Sequence, residues 1–165
     1  MDERRLIVIG GATATGKSAA AVALCQSIGG EVVSCDSMQL YRGMDIGTAK
    51  PTKAEMGGVP HHMLSVLSPD EPCSASRYRE MALPVLSGIA LRGKIPVLCG
   101  GTGLYIDSLT RPMSFSHQSD PTLRAALKAE AALPGGPQAL HARLSLADPV
   151  TAPKTHPTDV PRGTR

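Results

Sequence analysis

The stretch that decides the fold of this chain is Gly11-Ala12-Thr13-Ala14-Thr15-Gly16-Lys17-Ser18. It matches the pattern G-x-x-x-x-G-K-[ST], which is typical of phosphate-binding loops. An apolar run at residues 6–9 precedes it, and a run of helix-forming residues at 19–24 follows it. Strand, glycine-rich loop and helix in this order are the context in which the pattern binds phosphate. The sequence therefore predicts an α/β protein with a phosphate site near its N-terminus.

Each residue type in this loop has a physical role toward a bound phosphate chain. Gly11 and Gly16 can adopt backbone angles closed to other residues, so the backbone amides can surround an anion. The N-terminus of the following helix adds partial positive charge. Lys17 supplies a full positive charge to the outer phosphate, and Ser18 offers a hydroxyl to Mg²⁺. We expect residues 11–18 to bind a diphosphate or nucleotide; the alternative is a glycine-rich turn that binds nothing.

The composition restricts the classes of function. A length of 165 residues suits about one domain. Three Tyr, one Phe and no Trp disfavour a surface on which several bases stack. The four cysteines form no C-x-x-C pair, which favours reduced thiols in a cytoplasmic protein over a zinc or redox site. The sequence shows no signal-peptide pattern and no run of about 18 apolar residues, so no membrane partner is predicted.

The positive charge lies in the C-terminal third. Residues 1–110 carry ten basic and ten acidic side chains, whereas residues 111–165 carry seven and four. The excess there is compatible with an anionic macromolecular partner on that side. A solvated helical surface explains the same excess equally well.

The order of apolar runs and breakers predicts a parallel sheet of the P-loop NTPase type with flanking helices, together with part of a small helical insertion domain. We expect three regions: a diphosphate-binding core at 1–110, a partial helical region at 111–148, and a poorly ordered tail at 149–165. Within the core, residues 40–60 predict a loop. Strands are expected at 31–34, 63–67 and 95–99, and helices at 17–28, 74–91 and 104–109. Further helices are expected at 121–133 and 138–147.

Asp36 follows the predicted second strand, and the carboxyl ends of parallel strands form the ligand crevice. It is therefore expected beside the phosphate loop, as a magnesium organiser or as a proton acceptor. A turn or helix-capping role is the alternative. A second glycine turn, Gly100-Gly101-Thr102-Gly103, follows the strand at 95–99 and is expected to face the first loop across the crevice.

Other polar residues near these turns have weaker interpretations. Arg42, Lys50 and Lys53 either touch phosphates or are simply solvated. The adjacent His61 and His62 do not share one face of a strand or helix, so a metal site built from this pair is disfavoured.

Several stretches together resemble one known family, the tRNA dimethylallyltransferases. Besides the phosphate loop, the stretches are Asp36-Ser37-Met38-Gln39-Leu40-Tyr41-Arg42-Gly43-Met44-Asp45-Ile46-Gly47-Thr48-Ala49-Lys50-Pro51, Gly58-Val59-Pro60-His61-His62, Gly100-Gly101-Thr102-Gly103-Leu104-Tyr105, Asp148-Pro149 and His156-Pro157. The resemblance covers nearly the whole chain and is most specific at residues 11–109.

The resemblance implies the reaction and its participants. Dimethylallyl diphosphate transfers its five-carbon group to N6 of adenosine 37 in the anticodon loop of tRNA, and diphosphate leaves. Lys17, Asp36 and Thr102 would be the catalytic residues, with Mg²⁺ as cofactor and Ser18 as its ligand. The residues implied to contact tRNA are Asp36, Ser37, Met38, Gln39, Thr102 and Arg124. A cytoplasmic monomer is expected.

The chain also departs from this family. Its members are considerably longer, Thr158 replaces a usual Asn, and Pro153 and Thr155 disturb the preceding segment. We therefore expect an N-terminal part that does not prenylate tRNA at a useful rate by itself. The alternatives are an inactive remnant that only binds diphosphate or nucleotide, an enzyme prenylating free adenine nucleotides, and a P-loop small-molecule kinase. The kinase is least favoured, because residues 36–51 and 100–105 have no evident kinase role.

Overall fold

The structure is a computed structural model that describes residues 5–113 and 120–160. The chain divides into two compact units, Met1–Ser114 and Phe115–Arg165. The first unit contains a four-stranded sheet, and the second contains two helices and a short 3₁₀ helix. The predicted linker at 115–120 lies almost entirely outside the described residues.

The sheet of the first unit is entirely parallel, with strand order β1-β4-β2-β3. Its strands are β1 (Ile7–Gly10), β2 (Gly30–Ser34), β3 (His61–His62) and β4 (Ile95–Gly100). The helices are α1 (Lys17–Ile28), α2 (Ala75–Leu91) and α3 (Gly103–Thr110). The predicted α/β fold with a parallel sheet and flanking helices is therefore confirmed.

The helix ends follow their sequence signals. Gly29 ends α1 in the left-handed conformation at φ 67°, and its N–H donates to the carbonyl of Cys25. Ser74 begins α2, and its side chain accepts a hydrogen bond from the N–H of Arg77. These two signals place both helices within one residue of their predicted bounds.

The two central strands are covered on both faces. Successive residues of a strand point to opposite faces, so Val33 of β2 packs in a cluster with Tyr78 of α2 and Tyr105 of α3. Val32 packs in a second cluster with Ala21 and other residues of α1. Burial on both faces explains why β4 is a nearly continuous apolar run, whereas β2 combines Val32 and Val33 with the buried polar residues Glu31 and Ser34.

The prediction of a strand at residues 63–67 is wrong. The strand is instead His61–His62, which pairs with Val32 and Val33 of β2. Met63 and Ser65 have φ angles of 60° and 53°, which a strand does not accommodate. The apolar content of the segment reflects burial of Met63 and Leu67 in the core, not strand pairing.

The second unit contains α4 (Pro121–Ala131), α5 (Gly136–Ala147) and the 3₁₀ helix Ala152–Lys154. Asp120 caps α4, because its side chain accepts hydrogen bonds from the N–H groups of Thr122 and Leu123. An ion pair between Arg143 and Glu130 joins the two helices at 2.6 Å.

Residues 149–155, which belong to the stretch predicted as a poorly ordered tail, form a turn and a 3₁₀ helix in the structure. Asp148 accepts hydrogen bonds from the N–H groups of Val150 and Thr151, which starts a turn that continues into the 3₁₀ helix. His141 Nε2 lies 2.9 Å from the carbonyl oxygen of the buried Thr155. Proline in this segment fits the turn because its fixed φ suits helical backbone. Residues 161–165 lie outside the described residues.

Among the helices within residues 5–113 and 120–160, none is long and apolar enough to span a bilayer.

Candidate diphosphate and amine site

The phosphate loop connects the end of β1 to the start of α1. Gly16, immediately before α1, has a φ of 79°, a left-handed conformation that favours glycine. Gly11 has a φ of 158°, which is close to extended backbone, so the left-handed positions of the loop are Gly16 and Ala14, the latter with a φ of 63°. No side chain caps the start of α1, which leaves its first-turn amides available to an anion.

The hydrogen bonds of this loop are local. Thr15 Oγ1 donates to the carbonyl of Ala12 at 2.8 Å. Lys17 Nζ donates to the same carbonyl and lies 3.4 Å from Thr15 Oγ1. Burial raises the pKa of the Cys99 thiol, and the positive charge of Lys17 acts in the opposite direction. The ammonium group therefore lies over the loop and beside the end of β4.

Asp36 follows β2 and is half-buried. Its Oδ1 accepts hydrogen bonds from the N–H of Met38 at 2.9 Å and of Gln39 at 3.3 Å. This is the predicted turn role, and it uses only one carboxylate oxygen. In the part of the chain that the structure describes, no hydrogen bond reaches Oδ2. The same side chain thus forms a turn and keeps one oxygen for a ligand.

Thr102 makes hydrogen bonds to the two residues that flank Asp36 in the sequence. Its N–H donates to the carbonyl of Cys35 at 3.0 Å, and its Oγ1 accepts from the N–H of Ser37 at 3.0 Å. The predicted position of this glycine turn, across a crevice from the phosphate loop, is wrong. Because β4 lies directly between β1 and β2, the turn packs against the loop, and a Cβ added at Gly101 would lie 3.3 Å from the carbonyl oxygen of Gly11.

A buried polar contact lies beneath the Asp36 turn. The hydroxyl of Tyr78 donates to the carbonyl of Ser34 at 2.9 Å and lies 3.1 Å from the Cys35 thiol. The ring of Tyr78 stacks on Tyr105 with centroids 4.1 Å apart. Burial raises the pKa of Cys35 to about 11 and also raises that of Tyr78. Both groups are therefore neutral and support the turn as hydrogen-bonding groups.

A cavity of about 460 Å³ collects most of the predicted residues. Those that line it are Thr13, Ala14, Thr15, Gly16, Lys17, Ser18, Asp36 and Gln39. Gly11, Ala12, Ser37, Met38 and Thr102 are not among its lining residues. Arg124 belongs to the second unit, where its Nε is buried without a hydrogen-bond partner among the described residues.

Sequence reasoning missed a large part of the cavity wall. The additional lining residues are Ala19, Val32, Ser34, Thr48, Ala49, Pro51, Glu55, His61, Leu64, Cys99, Gly100 and Gly101. Four of them, Thr48, Ala49, Pro51 and Glu55, lie in the segment at 40–60, which the sequence predicts as a loop. The available signal was the position of this segment between β2 and β3, whose carboxyl ends meet at one edge of a parallel sheet.

Two of the basic residues near the site are used by the protein itself. Lys50 is only 7% exposed, and its Nζ donates to the carbonyl of Tyr41, to Asp45 and to Ser65. Arg42 donates to the carbonyls of Ser65 and Val66. Both predicted roles, phosphate contact and solvation, are therefore wrong for Lys50. Lys53 is exposed.

The donors at the cavity suit a magnesium ion held with a phosphate chain. Among the described residues, no group of three His, Cys, Asp or Glu side chains could hold a metal by itself. Magnesium bound with phosphates needs only one or two protein oxygens, and Ser18 and Asp36, both with oxygen-bearing side chains, line this cavity. The residues present thus fit the ion.

The fold and the loop define the class of this protein: a P-loop α/β protein with a carboxylate on the wall of its phosphate cavity. The model of the IPP transferase family matches residues 39–165, and that of the isopentenyl transferases matches residues 4–66. The chain belongs to the IPP transferase family.

Known relatives and solved structures agree with this assignment. The chain is 48% identical over 161 residues to a tRNA dimethylallyltransferase of Anaeromyxobacter dehalogenans, covering 98% of this chain and 52% of the relative. A structure of a eukaryotic dimethylallyltransferase acting on tRNA matches with a TM-score of 0.84 and 33% identity, over 98% of this chain and 40% of that chain.

A bacterial structure gives the same assignment. The tRNA isopentenylpyrophosphate transferase of Bacillus halodurans matches with a TM-score of 0.68 and 42% identity, over 99% of this chain and 54% of that chain. The chain spans about half the length of the curated relatives it matches.

Proposed function

We propose that this chain forms the donor-binding and amine-activating part of a tRNA dimethylallyltransferase. The reaction transfers the dimethylallyl group of dimethylallyl diphosphate to N6 of adenosine 37. The observation that carries the proposal is the shared cavity, which the phosphate loop and Asp36 both line. A diphosphate in the loop and an amine at Asp36 would then be within the reach of one another.

The phosphate loop would bind the diphosphate as a leaving group. As the bond between C1 of the dimethylallyl group and the bridging oxygen breaks, negative charge builds on the diphosphate. Lys17 and the first-turn amides of α1 would stabilise that charge. Ser18 would hold Mg²⁺, which when bound supplies further neutralisation of the phosphate oxygens.

Asp36 would accept the proton of the nucleophile. The exocyclic amine is weakly nucleophilic, because its lone pair is delocalised into the adenine ring. The free Oδ2 of Asp36 can accept a hydrogen bond from N6 and then its proton as the new C–N bond forms. The products are N6-dimethylallyl-adenosine and diphosphate, and the carboxyl group of Asp36 holds the proton.

Thr102 would support both sides of this reaction. Its oxygen already accepts a hydrogen bond from Ser37, so the hydroxyl keeps its own proton for donation to the leaving oxygen or to the extruded base. The hydrogen bond from the N–H of Thr102 to the carbonyl of Cys35 also fixes the backbone just before Asp36.

The anticodon loop of tRNA would be the macromolecular partner. Adenosine 37 must leave its stack to enter a cavity of this kind. Ser37, Met38 and Arg124 are the proposed RNA contacts, and Met38 is 45% exposed. The proposal includes a cytoplasmic monomer.

The proposed donor site is tested by calorimetry with Lys17→Ala. Removing a full charge from the phosphate loop should weaken the binding of dimethylallyl diphosphate, in the presence of Mg²⁺, at least tenfold. Lys94→Ala is the matched control, because Lys94 is exposed and lies just before β4, at the other end of the sheet. Its affinity should stay within twofold of the unchanged chain, and equal affinities in all three proteins would exclude the loop as the site.

Transfer is measured separately with an anticodon stem-loop RNA, by mass spectrometry of the added five-carbon group. Donor binding that depends on Lys17, together with RNA that gains no mass, would limit these 165 residues to binding. A gain in mass that disappears in Lys17→Ala would support the complete proposal.

A further inference from the structure

Gln39 follows Asp36 in the same turn, and its side-chain amide makes three hydrogen bonds inside the protein. Its Oε1 accepts a hydrogen bond from Ser34 Oγ at 3.1 Å. Its Nε2 donates to the carbonyls of Thr48 and Ala49, both at 3.2 Å. The partners fix the orientation of the amide, because the flipped group would place its oxygen against two carbonyl oxygens. Gln39 therefore links the end of β2 to the backbone at residues 48 and 49.

The backbone that Gln39 binds is a strained and otherwise well-restrained segment. Ala49 has a φ of 48°, which is uncommon for a residue with a Cβ. Within residues 44–51, Thr48 Oγ1 donates to the carbonyl of Met44 at 2.6 Å, and Lys50 is held by three acceptors. These bonds fix the segment internally and to residues 41 and 65. Among the described side chains, the amide of Gln39 connects this segment to Ser34 at the end of β2.

The same segment is a wall of the cavity. Thr48, Ala49 and Pro51 line it together with the phosphate loop, as does Gln39 itself. The diphosphate-binding groups are in residues 11–18, which hold themselves together by local bonds. Residues 48, 49 and 51 thus form a part of the cavity wall outside the phosphate loop.

We propose that Gln39 is a positioning residue that holds residues 44–51 in place as the wall against the hydrocarbon part of the donor. This inference rests on the proposed function, and it gives Gln39 a role other than the RNA contact that the family resemblance implies. An amide whose two N–H groups are both used inside the protein, and whose oxygen keeps only one lone pair, has little left for an RNA base. The substrate affected by its loss is therefore the prenyl donor.

The test compares Gln39→Ala with Gln26→Ala. Gln26 is the matched control, because its Nε2 also donates to a loop carbonyl, that of Gly57 at 2.9 Å, but Gln26 does not line the cavity. Hydrogen exchange of the peptides covering residues 44–51 should be faster in Gln39→Ala and unchanged in Gln26→Ala. Gln39→Glu should behave like Gln39→Ala, since a carboxylate cannot donate to the two carbonyls.

Binding distinguishes the hydrocarbon wall from the phosphate site. Gln39→Ala should bind dimethylallyl diphosphate about tenfold more weakly, because binding must then also order residues 44–51. Its affinity for inorganic diphosphate should stay within twofold of the unchanged chain, and Gln26→Ala should match the unchanged chain for both ligands. An anticodon stem-loop RNA should bind Gln39→Ala as well as the unchanged chain.

Each contrary result has one meaning. Unchanged exchange at residues 44–51 would overturn the role of Gln39 in holding the wall. Weaker RNA binding with unchanged donor binding would make Gln39 an RNA contact instead. If the unchanged chain binds neither diphosphate nor the donor, the proposed function is overturned. The hydrogen-exchange experiment would still test whether Gln39 positions residues 44–51.

Discussion

The phosphate loop at residues 11–18 and the segment at residues 36–51 line one cavity but are built differently. The side-chain bonds of the loop span at most five residues, as between Lys17 and Ala12. The other segment depends on distant partners: the N–H of Ser37 donates to Thr102, 65 residues away, and Lys50 donates to Ser65. One wall is therefore a local structure on β1 and α1, and the other exists only within the folded sheet.

This difference predicts different sensitivities. A change in the loop should affect phosphate binding and leave the rest of the cavity in place. A change at a distant partner should disturb residues 36–51 and spare the loop. Three experiments test this difference between the two walls.

The largest effect is expected from Gly100→Ala. A Cβ added at Gly100 would lie 2.4 Å from the carbonyl carbon and oxygen of Cys35, so β2 and β4 would have to separate where residues 36–51 begin. We expect a loss of about 3 kcal/mol or more in the free energy of unfolding, measured with urea. Hydrogen exchange should increase more at residues 35–51 than at residues 11–18.

Gly103→Ala is the control for that change. No atom lies within 4 Å of a Cβ added at Gly103, which is the first residue of α3. The unfolding free energy should change by less than about 1 kcal/mol. An equally small loss in Gly100→Ala would show that the two strands separate there at little cost.

The second experiment separates the chemical roles of the two walls with Asp36→Asn. If Asp36 is the proton acceptor, prenyl transfer measured in a full-length enzyme carrying this change should fall by about a hundredfold or more, while magnesium-dependent binding of diphosphate stays within twofold. The transfer assay uses the anticodon stem-loop RNA, and calorimetry measures binding. Asp70→Asn, at an exposed acid that does not line the cavity, should leave both unchanged. A large loss of magnesium-dependent affinity would instead identify Asp36 as the metal organiser.

The smallest effect concerns the start of β2, where the buried Glu31 binds Arg92 and His62, each at 2.6 Å. The Arg92 hydrogen bond holds the pKa of Glu31 below its usual range, with help from His62 and against the effect of burial. A lowered folded-state pKa stabilises the protein above the unfolded value, which is about 4.3. That stability is lost as the pH falls through the folded-state pKa.

Glu31→Gln should therefore lose about 2 kcal/mol at pH 7 and show a weaker loss of stability than the unchanged chain on acidification below about pH 5. Urea unfolding at several pH values measures both. Glu71→Gln is the control, because Glu71 pairs with Arg77 at the surface. This change should lower the free energy of unfolding by less than Glu31→Gln does. Acid unfolding that proceeds identically with and without Glu31 would contradict this account.

The predictable part of the site is the part with local causes. Lys17 and Ser18 could be placed from the motif, because a strand, a glycine turn and a helix position those side chains whatever surrounds them. Asp36 could be placed beside them, because parallel strands end at one edge of a sheet. The role of Lys50 could not be predicted, since its three acceptors come together only when residues 41–65 fold as a unit.

The amino-acid sequence is enough to predict a parallel α/β protein with a phosphate loop after its first strand, and it points to the family. Apolar runs, helix caps and glycine turns act over a few residues and are readable without the fold. Only the tertiary structure decided that β4 lies between β1 and β2, that His61–His62 is the strand instead of residues 63–67, and that Gln39 faces inward. These outcomes depend on which distant backbone groups pair, and pairing over tens of residues leaves no local pattern in the sequence.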